Sequence, residues 1–195
     1  MNKIKFLQIG TSLANDHVFN FVKDKDIELG VLVEPLKEYE ESIMECYKGI
    51  KNIHLEQVAV RHDDIEEENF FTSELHTGIG SFNKEHLIKH RIPPEKIETR
   101  TVNCINVNDL FYKYKLYHLD HFFIDTEGFD ANILLDLNLS IYKIDHIIFE
   151  AVHLDGPQTT GGVKTKKLLK YLKSHKYTIS NSESKFNLEA RLVNA

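Results

Sequence analysis

With 195 residues, 42% of them hydrophobic and 28% charged, the chain is long enough for a sheet covered on both faces and too apolar to be a disordered segment. A formal net charge of -6 supplies no general attraction to phosphate backbones or anionic lipid, so nucleic acid is not expected as a partner, although Lys164, Lys166, Lys167 and Lys170 form a local basic run that reads as the wet face of a helix. Cys46 and Cys104 are too few for a disulfide framework or a thiolate metal site, and no leader-like or membrane-length apolar run is present, which points to a cytoplasmic protein with reduced thiols and no membrane insertion.

In chain order, residues 6–9 are a buried strand stopped by Gly10, and Val18, Phe19 and Val22 then recur at helical spacing over 14–22, with Asn15 and Asp16 at the N-cap. Residues 30–33 repeat the pattern, ending at Glu34-Pro35 before a helix over 36–47. A third apolar stretch covers 53–60. The middle is less regular: Asn69 to Thr72 is strand-like, and 74–91, containing Gly78 and Gly80, is expected to be a substrate-side loop or lid. Residues 97–107 read as an extended strand and Asn108 as the cap of the next helix. Strands over 119–124 and 144–149 follow, the first ending at Asp125 and the second at Glu150. A helix over 164–174 and two closing strands at 177–179 and 186–193 complete the chain. Strands alternating with helices specify an α/β fold, here one Rossmann-like domain over 1–195. The expected sheet has seven strands, mostly parallel with a C-terminal antiparallel hairpin, and helices on both faces.

In such sheets ligands bind beyond the carboxyl ends of the strands, which singles out Gly10, Glu34, Val60 with Arg61, Asp125 with Glu127, and Glu150 with His153. Gly10 permits a sharp turn and close ligand approach, and an acidic residue ending the second strand is placed to accept hydrogen bonds from both hydroxyls of a ribose. The first turn lacks the several glycines of a dinucleotide fold and the lysine of a P-loop. A nicotinamide-dependent oxidoreductase and a non-catalytic nucleotide-binding or scaffolding module are the alternatives. Of the eleven histidines most read as solvated surface residues; His76, in the glycine-containing loop, and His153, just past a strand end, are the exceptions.

The series Phe6-Leu7-Gln8-Ile9-Gly10, Val33-Glu34-Pro35, Val58-Ala59-Val60 and Ile124-Asp125-Thr126-Glu127-Gly128-Phe129-Asp130-Ala131-Asn132-Ile133-Leu134 resembles the FkbM-type methyltransferases, from Phe6 to about His153. The first loop departs from that family's Ala-Asn-Gly continuation. The resemblance implies a class I methyltransferase fold, S-adenosylmethionine as cofactor, and O-methylation of a sugar, glycan or small natural product. It places Gly10 at the cofactor's amino-acid end, Glu34 at its ribose, Ala59 and Val60 beside the adenine, and Asp125 and Glu127 at the active-site edge; Asn15, Asp16 and Asp125 are also expected near the cofactor. The expected catalytic set is Asp125, Glu127, His76 and His153. A divalent cation such as Mg or Mn could be held by Asp125, Glu150 and His153 together with Glu127.

Overall fold

A computed structural model describes residues 3–193. Strand β1 (Ile4–Ile9) lies at the centre of the main sheet because it is apolar on both faces: Leu7 and Ile9 point into one core, Phe6 into the other. Helix α1 (His17–Val22) and strand β2 (Ile27–Val33) follow, then a 3-10 turn (Lys37–Tyr39) and helix α2 (Glu40–Cys46). Strand β3 (Ile53–Glu56) closes this half, with β2 pairing in parallel to both β1 and β3.

The second half returns to the other side of β1. Strand β7 (His118–Ile124) pairs parallel to β1, and β8 (Lys143–Glu150) parallel to β7. Helices α4 (Val107–Lys113), α5 (Asp130–Asp136) and α6 (Val163–Ser174) precede or link these strands, and β9 (Tyr177–Asn181) and β10 (Asn187–Leu192) form the closing antiparallel hairpin. The order β3-β2-β1-β7-β8-β10-β9 makes seven strands, with β10 antiparallel to β8, as expected from sequence. Leu110, Phe111, Leu134, Leu168 and Leu172 from α4, α5 and α6 pack on one face against Phe122, Ile124 and Ile147. Val18, Val22, Ile43 and Tyr47 from α1 and α2 cover the other face against Phe6, Leu32 and Phe123. Phe122 and Phe123 thus point to opposite cores, as the period of two requires. Among the described residues no helix is long and apolar enough to cross a membrane.

Several expectations are corrected. The stretch 53–60 is two strands: β3 runs out of partner where β2 ends at Val33, and Ala59–Arg61 (β4) pairs instead with β6 (Glu98–Asn106). With β5 (Glu67–Thr72) on its other side, β6 is the middle of a separate three-stranded sheet, β4-β6-β5. The first helix is shorter than 14–22, because Ser12 and Ala14 take left-handed φ values of 48 and 61° and the Asp16 carboxylate caps Val18 and Phe19. Asn106, whose Oδ1 accepts from the Asn108 amide at 2.8 Å, replaces Asn108 as the cap of α4. The segment 74–91 holds a helix, α3 (Lys84–Lys89), after its loop.

Gly10 sets how closely the central strands meet. Its φ is +83°, and a Cβ there would lie 1.7 Å from the Asp125 carbonyl oxygen, while the Asp125 amide donates to the Ile9 carbonyl at 3.0 Å. Gly10→Ala is expected to cost at least about 2 kcal/mol in denaturant unfolding; wild-type stability would mean that the two strand ends do not approach this closely.

Candidate functional site

Strands β1, β2 and β7 end at one edge, and β4 reaches the same region from the smaller sheet. Between them lies a cleft of about 680 Å³, lined by Gly10, Glu34, Leu36, Val60, Phe70 and Asp125 among others. Ala59, His76 and Glu127 also line it, so the expected residues from five separate chain segments share one cleft. A second cavity, of about 750 Å³, opens on the α1 side of Gly10 and is bordered by Gln8, Asn15, Asp16 and again Asp125. Exposed Asn15 faces this second space. Asp16 is engaged in structure: beyond capping α1, its Oδ2 accepts from Gln8 Nε2 at 2.6 Å.

Glu34 is 5% exposed, which is unusual for an unpaired carboxylate. Its Oε2 accepts from the Ser12 amide at 2.8 Å and its Oε1 from the Leu36 amide at 3.0 Å. Burial pushes its pKa from 4.5 to about 7, against the lowering effect of these two amides, and the nearby Glu38 charge adds to the rise. Since the folded chain favours the protonated form, this contribution to stability is complete below about pH 4.5 and is lost as pH rises through about 7.

The turn after β7 gathers more acid. Asp125 is open to cleft water yet enclosed by protein on most sides; that enclosure and the charges of Glu127 and Asp16 raise its pKa. Glu127 sits at φ 52°, a left-handed conformation rare outside glycine. Burial raises its carboxyl to about 7, opposed by His90 and His76. Asp130 ties the turn together: it is 1% exposed, its Oδ2 accepts from the Thr126 amide at 2.9 Å and its Oδ1 from the Glu150 amide at 3.2 Å. Enclosure also raises Glu150, with Asp125, Glu127 and Asp130 adding like charge.

Beside these carboxylates stand His86 from α3, His90 at its C-cap, and His153 after β8. His153 Nε2 is 3.5 Å from Glu150 Oε1 and 3.8 Å from Glu127 Oε2, and its Nδ1 accepts from the Gln158 amide at 2.7 Å. The potential ligand atoms of Glu127, Glu150 and His153, three of the four residues expected to hold a cation, lie within 4.8 Å of one another, and Asp125 is not part of that group. His86 and His90, read from sequence as surface residues, are buried and half-buried; their four-residue spacing on a helix was the available signal.

A parallel sheet with one reversed strand, a glycine turn after its first strand and an acidic residue closing the second is the arrangement of class I methyltransferases. Residues 8–179 match the family model described as the methyltransferase FkbM domain, and the chain belongs to the FkbM family of S-adenosylmethionine-dependent methyltransferases. Among solved structures it resembles the FkbM methyltransferase of Methylobacillus flagellatus KT at 13% identity and a TM-score of 0.57. That alignment covers 96% of this chain and 43% of the other, so this chain spans less than half of that protein. A precorrin-6y C5,15-methyltransferase from Geobacter metallireducens GS-15 aligns at 14% identity and a TM-score of 0.48, over 98% of this chain and 81% of that one. No curated protein sequence matches the chain.

The Glu34 assignment is checked by denaturant unfolding of the cofactor-free protein. From about pH 5 to about pH 8 the wild type should lose on the order of 3 kcal/mol relative to Glu34→Gln. A difference that does not change with pH would show that this carboxyl is not held protonated.

Proposed function

We propose that the chain transfers a methyl group from S-adenosylmethionine to a hydroxyl on a small molecule or glycan. The observation that carries this reading is the buried Glu34 carboxylate at the head of the cleft, opposite the side-chain-free turn at Gly10. The residues present fit the cofactor. Glu34 has lone pairs to spare beyond its two amide bonds, and the cleft beside it is lined by apolar Leu36, Ala59, Val60 and Phe70. Glu34 would hold the ribose hydroxyls, Ala59, Val60, Leu36 and Phe70 the adenine, and the Gly10 and Ser12 backbone the amino-acid end.

The cofactor supplies an already activated methyl electrophile, so the protein's task is alignment and proton removal. Asp125 borders both cavities and is open to water there, so an acceptor hydroxyl can reach its carboxylate. Its raised pKa makes it a better proton acceptor near neutrality than an ordinary aspartate. Glu127 has its Oε2 2.8 Å from His86 Nε2, away from that role. His76, exposed on the loop over the cleft, is placed to contact the acceptor.

Calorimetry should record binding of S-adenosylmethionine and S-adenosylhomocysteine and none of NAD, and Glu34→Ala should weaken cofactor binding by about tenfold or more. NAD binding, or unchanged affinity in the variant, would overturn the reading. With radiolabelled cofactor and a panel of sugars and hydroxylated small molecules, Asp125→Asn should lower the transfer rate by about a hundredfold or more. Label recovered on nitrogen or carbon, not oxygen, would refute the hydroxyl acceptor.

A further inference from the structure

The cluster of His86, His90 and His153 is not used by the chemistry above. His86 and His90 are four residues apart, so α3 presents both rings on one face, the spacing by which helices commonly supply two imidazoles to one ion. His153 completes the group from the far side: the ring centroids lie 4.4, 4.6 and 5.4 Å apart, and one nitrogen from each residue falls within 4.8 Å of the others. Glu127 and Glu150 close the cluster from the sheet edge.

We propose that His86, His90 and His153, with Glu127 and Glu150 beside them, bind a divalent first-row transition metal ion of the zinc type. The first support is a set of buried atoms without partners. His86 is fully buried, and neither of its ring nitrogens makes a hydrogen bond; the same holds for Glu127 Oε2 and Glu150 Oε2. The 2.8 Å approach of His86 Nε2 to Glu127 Oε2 lies outside hydrogen-bond alignment, so both atoms stay unsatisfied. Each such atom costs about 1–3 kcal/mol, and several around one point are the mark of a missing common partner.

Spacing is the second support. Two ligands each about 2.1 Å from a zinc-like ion stand roughly 3–3.5 Å apart, and the 2.8, 3.5 and 3.8 Å separations here bracket that range. Charge is the third. Among the described residues the ion pairs of Glu127 and Glu150 are to histidines, with no lysine or arginine, so two carboxylates lack a lasting positive partner. A site with three imidazoles selects zinc, iron or cobalt over magnesium or calcium. His153 joins the ion by giving up its bond from the Gln158 amide, which couples the site to the turn at 156–159.

The site adjoins the methyl-transfer cleft through Glu127, but its ion affinity does not rest on that reading. The full chain, stripped by chelator, is titrated with Zn2+ by calorimetry and with Co2+ by visible absorption. One ion per chain is expected, with cobalt bands of nitrogen and oxygen coordination and no displacement by excess Mg2+. His90→Ala, at a half-buried position, and His86→Gln should each weaken Zn2+ binding by more than about tenfold. Unchanged circular dichroism and S-adenosylmethionine binding would show that both variants are folded. Substoichiometric binding, or wild-type affinity in both variants, overturns the proposal. Stoichiometric metal binding by a wild-type chain that binds no S-adenosylmethionine would instead sink the proposed methyl-transfer reading alone.

Discussion

The close approach of β1 and β7 at Gly10 governs the rest of this molecule. Because residue 10 has no side chain, the Asp125 carbonyl sits where a Cβ would otherwise be, and the two strand ends finish level with each other. Parallel pairing with β2 then brings Glu34 to the same height, and the crossover after β3 adds Ala59 and Val60 from the smaller sheet. Any residue that widened the Gly10 turn would separate the wall that holds Glu34 from the acid-bearing turn, and the cleft would lose its shape before any functional side chain was altered.

Acid is concentrated at this edge well beyond what stability alone favours. Glu34, Asp125, Glu127, Asp130 and Glu150 all lie there, and burial or enclosure raises the pKa of every one of them. Asp130 is compensated by hydrogen bonds that join the β7 turn to β8, which explains its place in the fold. The other four are compensated less fully, and Glu127 adds backbone strain. Groups held in such states are the ones a ligand can satisfy, and this distinguishes them from the exposed ion pairs elsewhere on the surface.

The strand ends were legible from sequence for a simple reason. Apolar runs at 6–9, 30–33, 119–124 and 144–149 stop abruptly at Gly10, Glu34, Asp125 and Glu150, and a parallel sheet brings such stops to one edge. The break after Glu56 was not legible, because both halves of 53–60 are equally strand-like and their separation depends on residues 104–106, far along the chain. The same limit hid His86. Its neighbours Lys84, Glu85 and Lys89 are those of a solvated helix, and its burial arises only when α3 docks against His153 and Glu127. Asp16 shows the opposite case, a residue near the site whose local duty as a helix cap accounts for it.

The small sheet β4-β6-β5 also divides labour along the chain. It leaves the main sheet at Glu56 and rejoins it at α4, and between those points lie Phe70, His76, Phe82, His86 and His90. The principal sheet, with Gly10, Glu34 and Asp125, is contributed almost wholly by the segments outside this excursion. Remodelling the excursion would therefore recast what is presented above the cleft while leaving the strands that carry the acidic edge untouched, an economical route by which one scaffold can diversify.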